Sequence, residues 1–367
     1  MMDMRRLLAY TNHIVPSLLA LAVCLFSGCE KSATQKVTDG LGNDYISFSG
    51  RTSDGYAVKS EDGSTPMLAT TDILKTEPFG IFGGKSYDGT TNFSSVFQTD
   101  RAQVVEWKKE GTTEKWTYAP KQKWERAMHY RFRAVWPYVE RNVKANSSAN
   151  LLSVTYHSLN EDYDLMVAYA ERYPLKQGVG AVELEFKHAL TGLRFIVKYS
   201  DDATKDPDAI TEFYLTGIYS QGQLFYGYAE ADSGRESMIW DLSEYTFNVD
   251  TPQFHWPNSK GVTEGKAIPF GGTENTGANV YFTKTTSGSD GAALIVPQKL
   301  SSQRGKTYVH FRTTLGGTAL HTVELPETQL KAGKIYTFTL SINETTITID
   351  GKVQDWKEIH SNIDIIL

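Results

Sequence analysis

The chain has 367 residues, 40% hydrophobic and 22% charged, with 7 Trp, 20 Tyr and 17 Phe. That composition excludes a disordered or fibrous chain, and its length leaves room for two domains at about 100–200 residues each. A net charge of −6 supplies no global basic field, so nucleic acid is not an expected partner.

The first elements are export signals. Arg5 and Arg6 precede an apolar run from Ile14 to Phe26, which is shorter than the roughly 20 residues that a membrane-spanning helix needs. It reads as the apolar region of a signal peptide. Leu25-Phe26-Ser27-Gly28-Cys29 resembles a bacterial lipobox. That resemblance implies a signal peptide over 1–28, acylation (palmitate among the chains) at Cys29, and an outer-membrane lipid anchor. Two or more acyl chains hold a protein on a membrane durably where one does not. Cys24 and Cys29 are the two cysteines, so the mature body has no internal disulfide. Residues 29–44 are polar and aperiodic, as in a flexible tether.

Beyond the tether the pattern has period two, the mark of strands packed on one face. Ile46 and Phe48 alternate with serines, so Tyr45–Ser49 reads as a first strand. Tyr130, Phe132 and Ala134 alternate with Arg131, Arg133 and Val135, and Val182, Leu184 and Phe186 with Glu183, Glu185 and Lys187. Further strands are expected over 213–219, 223–228, 280–283, 292–296, 307–313, 334–342 and 345–349. Asp54-Gly55, Asp88-Gly89, Asp290-Gly291 and Asp350-Gly351 are the hairpin turns this reading expects. Residues 122–128 and 164–171 read as short helices. The pattern predicts an all-β fold of two β-sandwiches, 45–178 and 179–367, joined near Pro174–Gly180. The apolar parity shifts at Thr191-Gly192, which predicts a β-bulge. His188 falls on the core side, with a backbone group as its expected partner.

No metal or cofactor signature is present: there is no His-Glu-x-x-His motif and no Cys pair. Gly84-Lys85-Ser86 resembles the end of a phosphate loop, but Phe79 stands where that loop needs glycine. Glu161, Asp162 and Asp164 could form a glycosidase carboxylate pair, although helix-capping is the commoner use of such a cluster. Asp201, Asp202, Asp206 and Asp208 could hold calcium, without the central glycine of a calcium loop. The seven tryptophans could stack on sugars; several sit in core-like alternation.

Six strings recur in order: Trp124 with Tyr130-x-Phe132-x-Ala134 and Pro137; Asp164-Leu165-Met166-x-Ala168; Val182-x-Leu184-x-Phe186-x-His188-x-Leu190; Val296-Pro297-Gln298; Ala332-Gly333-Lys334-x-Tyr336; and Val353-x-x-Trp356. Together, behind a lipobox, they resemble the fimbrillin-like proteins of Bacteroidales type V pili. The resemblance implies two tandem transthyretin-like β-sandwich domains, lipoprotein export, and assembly into a fimbrium at the cell surface with other pilus subunits. It implies no catalysis and no cofactor, and host or bacterial surface ligands as adhesion partners. It also implies that a trypsin-like protease removes the first strand, here carrying Ile46 and Phe48, after Arg51 or, as second choice, Lys59. A strand from the next subunit then fills the groove by donor-strand exchange. Ile363, Ile365 and Leu367 alternate as a C-terminal donor strand would. Stalk, tip and anchor roles stay open. So do a surface glycan-binding lipoprotein with β-sandwich modules and, third, a carbohydrate-active enzyme.

Overall fold

The computed structural model describes residues 44–53, 71–90, 92–97, 101–145, 151–161, 163–199, 210–229, 235–247, 249–255, 266–267, 279–282, 293–313, 320–342 and 347–355. The described residues fall within one unit, Asp44–Leu367. They form twenty-four strands and only two single-turn helices, α1 (Thr71–Leu74) and α2 (Pro174–Gln177), with a 3-10 turn at Glu140–Asn142. The first ten strands are β1 (Phe48–Thr52), β2 (Phe79–Ser86), β3 (Ser94–Ser95), β4 (Gln103–Glu110), β5 (Thr113–Thr117), β6 (His129–Trp136), β7 (Val143–Ala145), β8 (Leu151–His157), β9 (Met166–Arg172) and β10 (Val182–His188). Then come β11 (Thr191–Tyr199), β12 (Ile210–Thr216), β13 (Gln221–Ala229), β14 (Arg235–Asp241), β15 (Phe254–His255), β16 (Lys266–Ala267) and β17 (Asn279–Phe282). The last are β18 (Ala293–Ile295), β19 (Lys299–Leu300), β20 (Tyr308–Thr313), β21 (His321–Glu324), β22 (Thr328–Gln329), β23 (Lys334–Ile342) and β24 (Ile347–Asp355).

The first sheet runs β1-β10-β9-β6-β2-β4-β5, with β3 beside β2. One face encloses a core of Phe79, Ile81, Val105, Trp116, Phe132, Met166, Leu184 and Phe186. The other face is covered as well: Val135, Leu165 and Val167 meet Leu152, Val154, Tyr156, Leu224 and Tyr226 of the sheet β14-β13-β8-β7. A third core, with Leu193, Phe195, Phe213, Leu215, Val309, Phe311 and Phe338, gathers residues of the sheets β17-β11-β23-β24 and β16-β15-β12-β20-β21.

This burial on both faces corrects two expectations. Asp164–Glu171 is not helical; Met166–Arg172 is a strand paired with both β10 and β6. Its unbroken apolar run Leu165–Ala168 belongs to a strand buried on both sides, a pattern that resembles helix in sequence. Arg133, expected on an open face, is 0% exposed.

The parity shift at Thr191-Gly192 is not a bulge. β10 lies in the first sheet and β11 in another, and buried Ala189 and Leu190 carry the chain between them. Residues 122–128 are not helical either, and Asp350-Gly351 makes no turn, because both residues pair within β24, opposite Thr339 and Phe338. Gly89 does occupy a left-handed turn, at φ 73°, where a Cβ would press on the His129 ring at 2.9 Å. Asp54-Gly55 and Asp290-Gly291 lie outside the described residues.

Candidate assembly site at the N-terminal strand

Residues 44–53 lie along the edge of the first sheet and are held at both ends. At the start, the amide of Ile46 donates to the Gln122 carbonyl (2.8 Å) and that of Trp124 to the Asp44 carbonyl (2.7 Å), while the Tyr118 hydroxyl donates to the Ile46 carbonyl (2.9 Å). β1 then runs parallel to β10, Phe48 opposite Val182 through Thr52 opposite Phe186, and the Ser53 amide closes the ladder on the Phe186 carbonyl (2.8 Å). β10 is its only ladder partner among the described strands.

Alternation aims Ile46, Phe48, Gly50 and Thr52 inward. Ile46 is 1% and Phe48 6% exposed. The Phe48 ring meets Phe132 edge-on at 5.5 Å between centroids and Tyr118 at 5.7 Å. Burying two such side chains contributes about 1.5–3 kcal/mol each. Tyr45 and Arg51 stay on the surface. Lys123 lies over the Tyr45 ring (5.6 Å), and Arg51 Nη2 donates to Glu185 Oε2 at 2.8 Å. Both members of that ion pair are exposed, so it adds less than about 1 kcal/mol.

The first strand was expected to span Tyr45–Ser49, which puts Arg51 just beyond its end. Arg51 stands instead inside β1, between core-facing Gly50 and Thr52. The expected strand ended too early because Gly50 reads as a turn former, although the alternation Ile46-x-Phe48-x-Gly50-x-Thr52 runs through it. Cys29, Lys59, Ile363, Ile365 and Leu367 lie outside the described residues, as do Asp201, Asp202, Asp206, Asp208, Trp256 and Trp356.

Of the carboxylates considered for catalysis, Asp162 lies outside the described residues, and Glu161 and Asp164 are each engaged by other side chains. Asp164 Oδ2 bonds His188 Nδ1 at 2.6 Å, both buried, so His188 has a carboxylate partner that the sequence did not suggest. Glu161 turns to Arg141 (3.2 Å) and Asn142 (2.9 Å). Gly84, Lys85 and Ser86 are ladder residues of β2, paired with β6. Trp116, Trp124 and Trp136 are buried, and Trp107 and Trp240 half-buried, so none offers an open sugar platform. Among the described residues no three His, Cys, Asp or Glu side chains group as metal ligands.

The sequence gives no hint of a polar layer between the first sheet and the sheet of β13 and β14. The Arg133 guanidinium lies over the Tyr169 ring (5.6 Å); Tyr169 bonds Glu171, Tyr226 bonds Glu236, and Lys187 reaches Glu236 at 2.7 Å. Burial lowers the Arg133 pKa to about 10 and raises those of Tyr169 and Tyr226, which the adjacent carboxylates raise further.

These features define an all-β protein whose N-terminal strand is an edge strand seated in the core. A family model described as fimbrillin-like matches residues 67–356, well over half the chain. The chain belongs to the fimbrillin-like family. Its fold is similar to that of a fimbrial protein from Bacteroides vulgatus, at TM-score 0.52 and 16% identity over 85% of this chain and 99% of that one. A candidate cell adhesion protein from Bacteroides ovatus aligns at TM-score 0.47 and 15% identity, covering 85% and 97%. The C-terminally truncated tip fimbrial protein of Porphyromonas gingivalis aligns at 0.37 and 8%, covering 77% and 96%. No curated protein matches the chain.

Proposed function

We propose that this protein is a structural subunit, or an accessory or anchor component, of a type V pilus, exported as a lipoprotein through Cys29 and joined to its neighbours by donor-strand exchange. It works by adhesion and has no catalytic role. The observation that carries this reading is the N-terminal segment: it bonds along an edge, by one ladder, yet fills two core positions with Ile46 and Phe48. Taking it away opens an apolar groove beside unpaired β10 backbone, and a strand from another subunit supplies both the ladder and the side chains. Partners are therefore other pilus subunits, with the outer membrane as the anchor and host or bacterial surface ligands at the exposed end of the fibre. Two domains belong to the same reading, expected from the sequence at 45–178 and 179–367; the pairing of β10 with β1 and β9 favours a joint at Ala189-Leu190.

The test is to isolate surface fibres from the native host and sequence the amino terminus of this subunit. A start at Thr52 or Ser60 is the expected result for a polymerised subunit, and a lipidated Cys29 for an anchor. Cys29→Ala is expected to leave uncleaved or mislocalised precursor. Normal processing of that variant overturns the lipoprotein route, and fibres whose subunits all retain residues 44–53 seated in their own groove overturn strand exchange.

A further inference from the structure

β1 is an imperfect occupant of its own groove. Four of its positions face the core. Ile46 and Phe48 fill theirs, but Gly50 leaves the third without a side chain. A Cβ there would lie 3.4 Å from Phe186 Cε2, 3.7 Å from Leu74 Cδ1 and 3.7 Å from Trp116 Nε1. That is ordinary contact for a methyl group and leaves a longer side chain facing three packed residues. Glycine in a strand also loses more conformational freedom on ordering than alanine does. The fourth position holds Thr52, 2% exposed, whose buried Oγ1 meets no hydrogen-bond partner among the described residues. A buried hydroxyl without a partner loses its hydration and gains nothing in return, whereas valine has the same shape and loses nothing.

We propose that the groove is shaped for a strand from another subunit whose core-facing residues run large apolar, large apolar, alanine-sized, valine-sized, and that Gly50 and Thr52 hold β1 below that optimum so that such a strand displaces it. This rests on the strand-exchange reading and names the partner it requires. It also ranks the chain's own C-terminal segment. In the register that seats Ile363 and Ile365 at the positions of Ile46 and Phe48, Leu367 falls on the Gly50 position, which has room for a methyl group. The favoured donor is then a different sequence from this tail.

Two measurements test it. In the full chain, Thr52→Val and Gly50→Ala are expected to raise the melting temperature and Gly50→Leu to lower it; a fall with Thr52→Val together with no change at Gly50→Ala overturns the shape argument. In a chain nicked at a protease site inserted between Ser53 and Thr71, a fluorescent peptide of residues 43–54 reports exchange. The same peptide with Ala at 50 and Val at 52 is expected to compete about tenfold better than the native one, and a peptide of residues 359–367 worse. Equal competition by all three overturns this inference while leaving exchange standing. Entry by no peptide overturns exchange itself, and the proposed partner with it, whatever the melting order.

Discussion

His188 and Asp164 lie at the end of β10 and just before β9, both over nine-tenths buried and 2.6 Å apart. Removing one partner of such a pair leaves the other's polar group desolvated, so Asp164→Ala is expected to cost about 3 kcal/mol in a denaturant titration. Glu183→Gln, at an exposed position of β10, is the control, expected within about 0.5 kcal/mol of wild type. A loss at Asp164 no larger than the control contradicts the pair's role. His310 behaves differently. Its Nε2 meets Thr216 Oγ1 at 2.9 Å and its Nδ1 meets Thr322 Oγ1 at 3.0 Å, and burial lowers its pKa against a smaller raising effect from Glu212. A histidine with a lowered folded-state pKa binds more protons when unfolded, so it weakens the fold as pH falls through and below about 6.5. His310→Gln is therefore expected to flatten the fall in stability between about pH 7 and 5. His157, with its pKa also lowered by burial, contributes in the same direction. An unchanged slope in His310→Gln removes this histidine from the acid response.

Strands were legible where one face alone is buried. Val182–His188 alternates and is β10; Lys334–Ile342 is β23 at both ends although Ile335 and Thr337 on its second face are buried too, because its β-branched and aromatic residues still mark it as a strand. The reading failed where a second layer covers the sheet, since Leu165–Ala168 then carries no period and Arg133 sits deep on what alternation marks as the open face. It failed again where side-chain identity hides a backbone state, as at Gly50 within β1. That last point changes what proteolysis should show. A protease needs several residues detached around the bond it cuts, and the Arg51–Thr52 bond lies within the ladder to β10. Cleavage after Arg51 under native conditions is expected to require release of β1 and so to be slow. Phe48→Ala, which costs about 3–5 kcal/mol of packing, is expected to speed it many-fold, as followed by mass spectrometry in a trypsin time course. If wild type and Phe48→Ala are cut after Arg51 at the same rate, β1 does not protect the site.

At the scale of the whole molecule, a third hydrophobic core lies between two others among the described residues. Residues from both sides of Ala189-Leu190 build that third core: Val135, Leu152 and Val167 precede it, and Leu224, Leu294 and Ile335 follow it. Strand pairing crosses the same divide, since β8 pairs with β13. Unfolding either half therefore strips apolar cover from the other, and the Arg133, Tyr169, Tyr226 and Glu236 layer, shared by strands of both halves, loses its partners in the same step. This makes one cooperative transition the expected behaviour, whereas two sandwiches tied only by a linker melt separately. Truncations in the outer cores separate the two cases. Phe132→Ala acts in the core of the first sheet and Phe213→Ala in the core built after Leu190, each expected to cost about 3–5 kcal/mol. With a shared core, both lower the midpoint of the same single transition, seen together in far-ultraviolet and aromatic circular dichroism. Two resolved transitions, one moved only by Phe132→Ala and the other only by Phe213→Ala, would show that the third core does not couple the halves.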